Sequence, residues 1–164
     1  VCNSKQFADS WLRMHVIEPK ETLVGIAVEW NSKWRAKGSA RHRISTIQIS
    51  TTSSVLIIQM SLLRPLTPPP LLLQILSDAQ IRKVGTSILS DSLKLRKDWR
   101  LSVVGRVDVC ELAEDLEYCE RPTTSKVAKN VLALDYDKPK TVALGNWEAE
   151  TLSDLQITCA ALDW

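Results

Sequence analysis

Apolar and polar positions change their period along this chain, and each change marks an element. Near the start Phe7, Trp11, Met14 and Val16 recur at roughly helical spacing, which predicts an opening helix that closes at Pro19, whose ring disfavours continuation. Three apolar, β-rich runs follow over residues 23–30, 43–51 and 54–59, the last two joined by a short Thr/Ser turn. That spacing predicts an antiparallel meander. The proline-rich stretch 65–70 ends strand character, and a helix is expected over 71–76, directly after prolines that a helix start tolerates. Strands over 82–85 and 103–109 then alternate with helices over 89–99, 110–116, 125–134 and 153–163. A meander followed by alternation predicts an α/β chain: a mixed sheet of three antiparallel strands plus parallel ones, flanked by helices.

Composition bounds this picture without redrawing it. At 164 residues and 45% hydrophobic the chain can bury one core, so residues 1–164 are expected to form a single domain. A net charge of +2 is too small to announce a nucleic-acid binder. Cys2, Cys110, Cys119 and Cys159 show no C-x-x-C spacing, so neither a zinc site nor a disulfide framework is implied, and an intracellular, nuclear or cytoplasmic, location is expected. No run approaches the apolar length of a membrane span. Because the sequence starts at Val1 and stops at Trp164 within a predicted helix, it reads as a fragment truncated in that last helix.

Candidate chemistry sits at the two ends. In GIAVEW, at residues 25–30, Ala27 and Glu29 are two apart on a strand and share a face. In LSDLQITCAALDW, at 152–164, Cys159 and Asp163 are four apart and share a helix face. Between them lie HRISTIQIS (42–50), KVGTSILSDSLKL (83–95), VDVCELA (107–113) and GNWEAETLSDLQ (145–156). In that order the segments resemble the 3′-5′ exonucleases that carry four acidic residues and a tyrosine, the family that includes the Werner-syndrome exonuclease domain. The resemblance runs from about Leu23 to the end of the chain, and it implies a ribonuclease H-like fold.

It also implies roles. Glu29, Asp91 and Asp163 occupy three of the family's four acidic, metal-binding positions, which the resemblance places together at one end of the sheet. Ala27 stands at the fourth, where a carboxylate contacts both metals, and Cys159 stands where a tyrosine orients the attacking water. Phosphodiester hydrolysis benefits from two divalent ions roughly 3.5–4 Å apart, and hard magnesium or manganese wants oxygen ligands. The family uses two Mg or Mn ions; with a methyl group at Ala27, at most one is expected here. A laboratory Asp-to-Ala change is one origin for Ala27, but a cysteine at 159 favours inherited decay.

Simpler roles stand beside these. Asp91 near a helix start is favoured by the helix dipole alone, Asp163 can be merely solvated, and Cys159 extends an apolar stripe with Leu152, Leu155 and Leu162 that suits a small core residue. Glu29 on an apolar strand is costly unless paired, ligated or at the strand end. His15 and His42 lack metal-ligand spacing. The basic run Lys33, Trp34, Arg35, Lys37, Arg41, His42 and Arg43 suits either phosphate attraction with stacking on Trp34 or a solvated hairpin loop. Trp30 beside it, and Lys126 on a later helix, complete the candidate nucleic-acid contacts. The expected function is a 3′-5′ exonuclease-family domain that binds single-stranded DNA or RNA 3′ ends with impaired catalysis. The alternatives are an active exonuclease carrying an inactivating mutation, and a pseudonuclease scaffold that binds a protein partner or a second copy of itself.

Overall fold

The computed structural model describes residues 1–31, 42–135 and 138–162. Its centre is a five-stranded sheet built from β1 (Leu23–Glu29), β2 (Thr46–Ser50), β3 (Val55–Gln59), β4 (Arg82–Gly85) and β5 (Arg106–Asp108), in the order β3-β2-β1-β4-β5. The meander is antiparallel, with Ala27 opposite Gln48 and Gln48 opposite Ile57, while β4 and β5 join β1 in parallel. The mixed sheet is therefore as expected, though β2 and β5 are shorter than the apolar runs that foretold them. Ile44 and Val103 remain buried outside the ladder, because core packing continues past the last paired residue. The Cys2 backbone adds one parallel bridge along β3, its N–H donating to the Ile57 carbonyl at 2.8 Å and its carbonyl accepting from Gln59 N–H at 2.8 Å.

Alternation of side chains gives the sheet two unlike faces. Val24, Ile26, Val28, Ile47, Ile49, Leu56 and Ile58 point to one face and form the main core with helices α1 (Lys5–Leu12), α2 (Pro70–Ser77) and α3 (Ile88–Trp99). Helix α1 continues through a π-helical turn, Arg13–Ile17, and buries Ala8, Leu12 and Val16 at four-residue intervals. This corrects the apolar face expected from the sequence: Phe7 and Met14 are 55% and 62% exposed. The small Ala8 marks the packed face where bulk alone would mislead. Gly85, ending β4, must be glycine, since a Cβ there would lie 2.5 Å from the Ile26 carbonyl oxygen.

The remaining helices are α4 (Val109–Asp115), α5 (Thr124–Leu132), the short α6 (Lys140–Ala143), which the pattern had not foretold, and α7 (Asp154–Leu162). Asp108 couples two of the helix starts. Its carboxylate accepts from Cys110 N–H and from Ile88 N–H, each at 3.0 Å, so one side chain caps both α4 and α3.

Candidate functional site

The second face of the sheet carries polar rows in place of an apolar surface. Cross-strand partners share a face, so Ala27, Gln48 and Ile57 form one row and Glu29, Thr46 and Gln59 the next. All six are buried, Ala27 and Glu29 at 8% exposure each. Gln48 Nε2 donates to Thr46 Oγ1 at 2.8 Å, while Gln48 Oε1 and the neighbouring Ser50 hydroxyl have no partner among the described residues. Polar groups at this depth are expensive, and their concentration beside Ala27 and Glu29 marks the face that a site would use.

A second, smaller core closes over these rows. Val142, Trp147, Leu152, Cys159 and Ala160 pack on Ile57, with Val55 and Ile157 at its border. Trp147 is wholly buried. The segment around it is bolted down at three points. Asn31, just past the end of β1, accepts from Trp147 N–H at 2.7 Å through Oδ1 and donates to Asn146 Oδ1 at 3.1 Å. Gln59 Nε2 donates to the Ala149 carbonyl at 3.0 Å, and Gln156 Nε2, on α7, donates to the Asn146 carbonyl at 3.2 Å. Gly145 permits this closeness, because a Cβ would approach the Val142 carbonyl to 2.9 Å. His42 Nδ1 meets Glu148 Oε1 at 2.8 Å, a satisfied histidine rather than a ligand.

Cys159 is buried in this core, on the side of the sheet that Ala27 and Glu29 face. The stripe expected to accompany it is corrected: Leu155 and Leu162 are about half exposed, and the inward residues of α7 are Gln156, Cys159 and Ala160. A hydrogen-bonded glutamine inside a helix is invisible to an apolar pattern.

Glu29 is paired with Lys138, whose ammonium meets Glu29 Oε1 and also lies 5.5 Å from the centre of the Trp147 ring. Sequence reading passed over Lys138, as it did Asn31, Gln59 and Gln156, of which only Gln156 lies in the polar lead-in to the last helix. Asp91 lies half-buried in the first turn of α3. The apolar side of α3 joins the main core, and its later turns lie across the carboxyl end of β1. Lys94 Nζ sits 4.8 Å from the Trp30 ring centre, Asp98 Oδ2 accepts from Ile44 N–H at 3.0 Å, and Trp99 Nε1 donates to the Ile44 carbonyl at 2.9 Å. One face of Trp30 is thus already covered by an ammonium. The exposed Lys126, in the first turn of α5, donates to the carbonyls of Glu120 at 3.4 Å and Arg121 at 3.1 Å. Asp163, Lys33, Trp34 and Arg35 lie outside the described residues.

The strand order and the helices on either side define a ribonuclease H-like domain. Residues 5–164 match the family model described as 3′-5′ exonuclease, and the chain belongs to that family. A 3′-5′ exonuclease of Arabidopsis thaliana is 28% identical over 142 residues, covering 86% of this chain and 48% of that protein. Exonuclease 3′-5′ domain-containing protein 2 of Homo sapiens is 37% identical over 100 residues, covering 59% of this chain and 16% of the relative. The chain thus spans about half the length of these curated relatives, or less. Among solved structures, the EXD2 exonuclease domain soaked in Mn and GMP superposes with a TM-score of 0.60 at 27% identity, covering 99% of this chain and 81% of that one. The Nibbler EXO domain of Aedes aegypti superposes at 0.78 with 20% identity, covering 98% and 79%, and speaks for the fold.

The described donor set does not fit a pair of divalent ions. Ala27 offers a methyl group, Glu29 already meets an ammonium, and among the described residues no three His, Cys, Asp or Glu side chains gather closely enough to hold a metal. Among the described residues no helix is long and apolar enough to cross a membrane.

Proposed function

We propose that this domain binds single-stranded nucleic-acid 3′ ends and has lost most of the hydrolytic power of its family. The observation that carries the reading is the pair on β1: Glu29 keeps its place on the buried polar face, while two residues before it Ala27 puts a methyl where a shared carboxylate ligand would be needed. Cys159 adds to it. Buried against Ile57 and Trp147, it has no hydroxyl with which to orient water. Among the described residues nothing then replaces the two-ion chemistry that generates hydroxide and steadies the leaving oxygen. Binding rests on family membership and on the Trp/Lys/Arg-rich segment after β1, whose charges suit a strand backbone.

The test follows a 5′-labelled single strand with a free 3′ end, DNA and RNA in parallel, by anisotropy and by gel with magnesium or manganese. Salt-dependent binding without shortening is expected. The variant A27D combined with Cys159→Tyr should shorten the strand slowly, and adding Glu29→Gln should abolish that. Shortening by the unaltered chain at the double variant's rate would sink the impaired reading. Absence of binding to either strand would hand the domain to the scaffold alternative.

A further inference from the structure

We infer that the Lys138 ammonium is the resident cation of this site, held by Glu29 in place of a divalent ion, so that the site is metal-independent by construction. Glu29 lies at the last position of β1 on the buried polar face, with its side chain 11% exposed, and Lys138 reaches it from 109 residues away with a side chain 19% exposed. Two long, mostly buried charged groups are not brought together from such separation as a surface accident. A carboxylate at this depth needs a positive partner, and removing one member of such a pair leaves the other stranded. The ammonium also lies over the electron-rich face of Trp147, 5.5 Å from the ring centre, which favours a monovalent organic cation.

The rest of the neighbourhood agrees. Ala27 removes the carboxylate that would have made the site negative enough to call for two divalent charges. With the Lys138 ammonium in contact with the Glu29 carboxylate, a divalent ion approaching Glu29 meets a fixed positive charge at contact distance. Lys138 leads directly into Pro139 and α6, whose Val142 packs in the same small core as Trp147 and Cys159. The ion pair therefore ties the covering segment to β1 as well as neutralising it. This goes beyond the proposed function: it holds whether or not the domain binds nucleic acid, and strand binding is not one of its readouts.

The test titrates Mn2+ by the loss of its free-ion electron-paramagnetic-resonance signal and follows melting temperature in the same samples. The unaltered chain should bind no more Mn2+ than Glu29→Gln does, and its melting temperature should not change between chelator and added Mn2+. Lys138→Met keeps the stem over Trp147 but removes the charge. It should melt lower without metal, gain Mn2+ affinity by about tenfold or more, and recover stability as Mn2+ is added. Combining it with Glu29→Gln should remove both the affinity and the metal-dependent recovery. Lys138→Arg, which keeps the charge, should behave as the unaltered chain. Glu29-dependent Mn2+ binding by the unaltered chain overturns the inference, and so does a Lys138→Met variant that folds but gains no affinity. If Lys138→Met does not fold, the comparison of the unaltered chain with Glu29→Gln still decides.

Discussion

Replacing Trp147 by alanine should uncouple the covering segment from the sheet without unfolding the sheet. Trp147 is wholly buried, and its backbone N–H is held by Asn31 at 2.7 Å. Truncating a buried tryptophan costs about 3–5 kcal/mol. Were that loss spread over one cooperative core, it would consume a large part of the 5–15 kcal/mol typical of a whole domain. Here Trp147 belongs to the small cluster with Ile57, Val142, Leu152, Cys159 and Ala160, whereas α1, α2 and α3 pack on the opposite face. The loss should therefore fall on local opening of α6 and α7. Native-state hydrogen exchange reads this directly: at about 1.4 kcal/mol per tenfold, amides of α7 should exchange roughly 140- to 4,000-fold faster. Amides of β1, β2 and α3 should change far less. Equal acceleration in α3 and α7 would refute the division into two cores.

Three further outcomes follow. Gly85→Ala should lower stability by about 3 kcal/mol, because its Cβ would sit 2.5 Å from the Ile26 carbonyl oxygen and the backbone must move; a melting temperature within about 2 °C of the unaltered chain would contradict it. Burial lowers the Lys83 ammonium below its ordinary 10.5, with Asp78 opposing. The unfolded chain then holds that proton to higher pH, so Lys83's share of stability is unfavourable at neutral pH and recovers as pH rises from the lowered value towards the ordinary one. Urea melts across that range should show the rise, and Lys83→Met should flatten it. Burial, with help from Asp108 and Cys119, raises the Cys110 thiol above its ordinary value. Alkylation of native Cys110 should reach half its maximal rate at higher pH than alkylation of the unfolded chain, and a midpoint at or below the unfolded one would argue against it.

The meander was legible because its apolar runs are well punctuated, and the short parallel strands β4 and β5 because they alternate with helical stretches. The shared face of Ala27 and Glu29 was legible because a strand's period of two admits no other reading. Helix faces were harder. In α1 the packed series runs through the small Ala8, and in α7 it runs through Gln156, whose amide is satisfied by the Asn146 carbonyl. Apolar bulk points instead to Phe7, Met14, Leu155 and Leu162, all of which face outward. The groups that complete the candidate site, Lys138, Asn31 and Gln59, are polar residues whose partners are distant in sequence. Nothing local distinguishes them from ordinary surface residues, and only folding brings Asn31 to Trp147 or Lys138 to Glu29.

The bridge between Cys2 and β3 has a consequence for how copies of the chain treat one another. A bare outer strand offers its free N–H and C=O groups to any neighbouring molecule, and repeated strand-to-strand addition is a route to fibrils and precipitates. Along β3 the Cys2 backbone takes up the Ile57 carbonyl and the Gln59 N–H, two of the groups that such addition would use. At the opposite rim β5 is three residues long, too short a template to hold another strand firmly. Both rims are thereby poor seeds. Loss of the first few residues should show itself less in the melting temperature than in turbidity at high concentration, where the newly bared β3 rim begins to recruit its own kind.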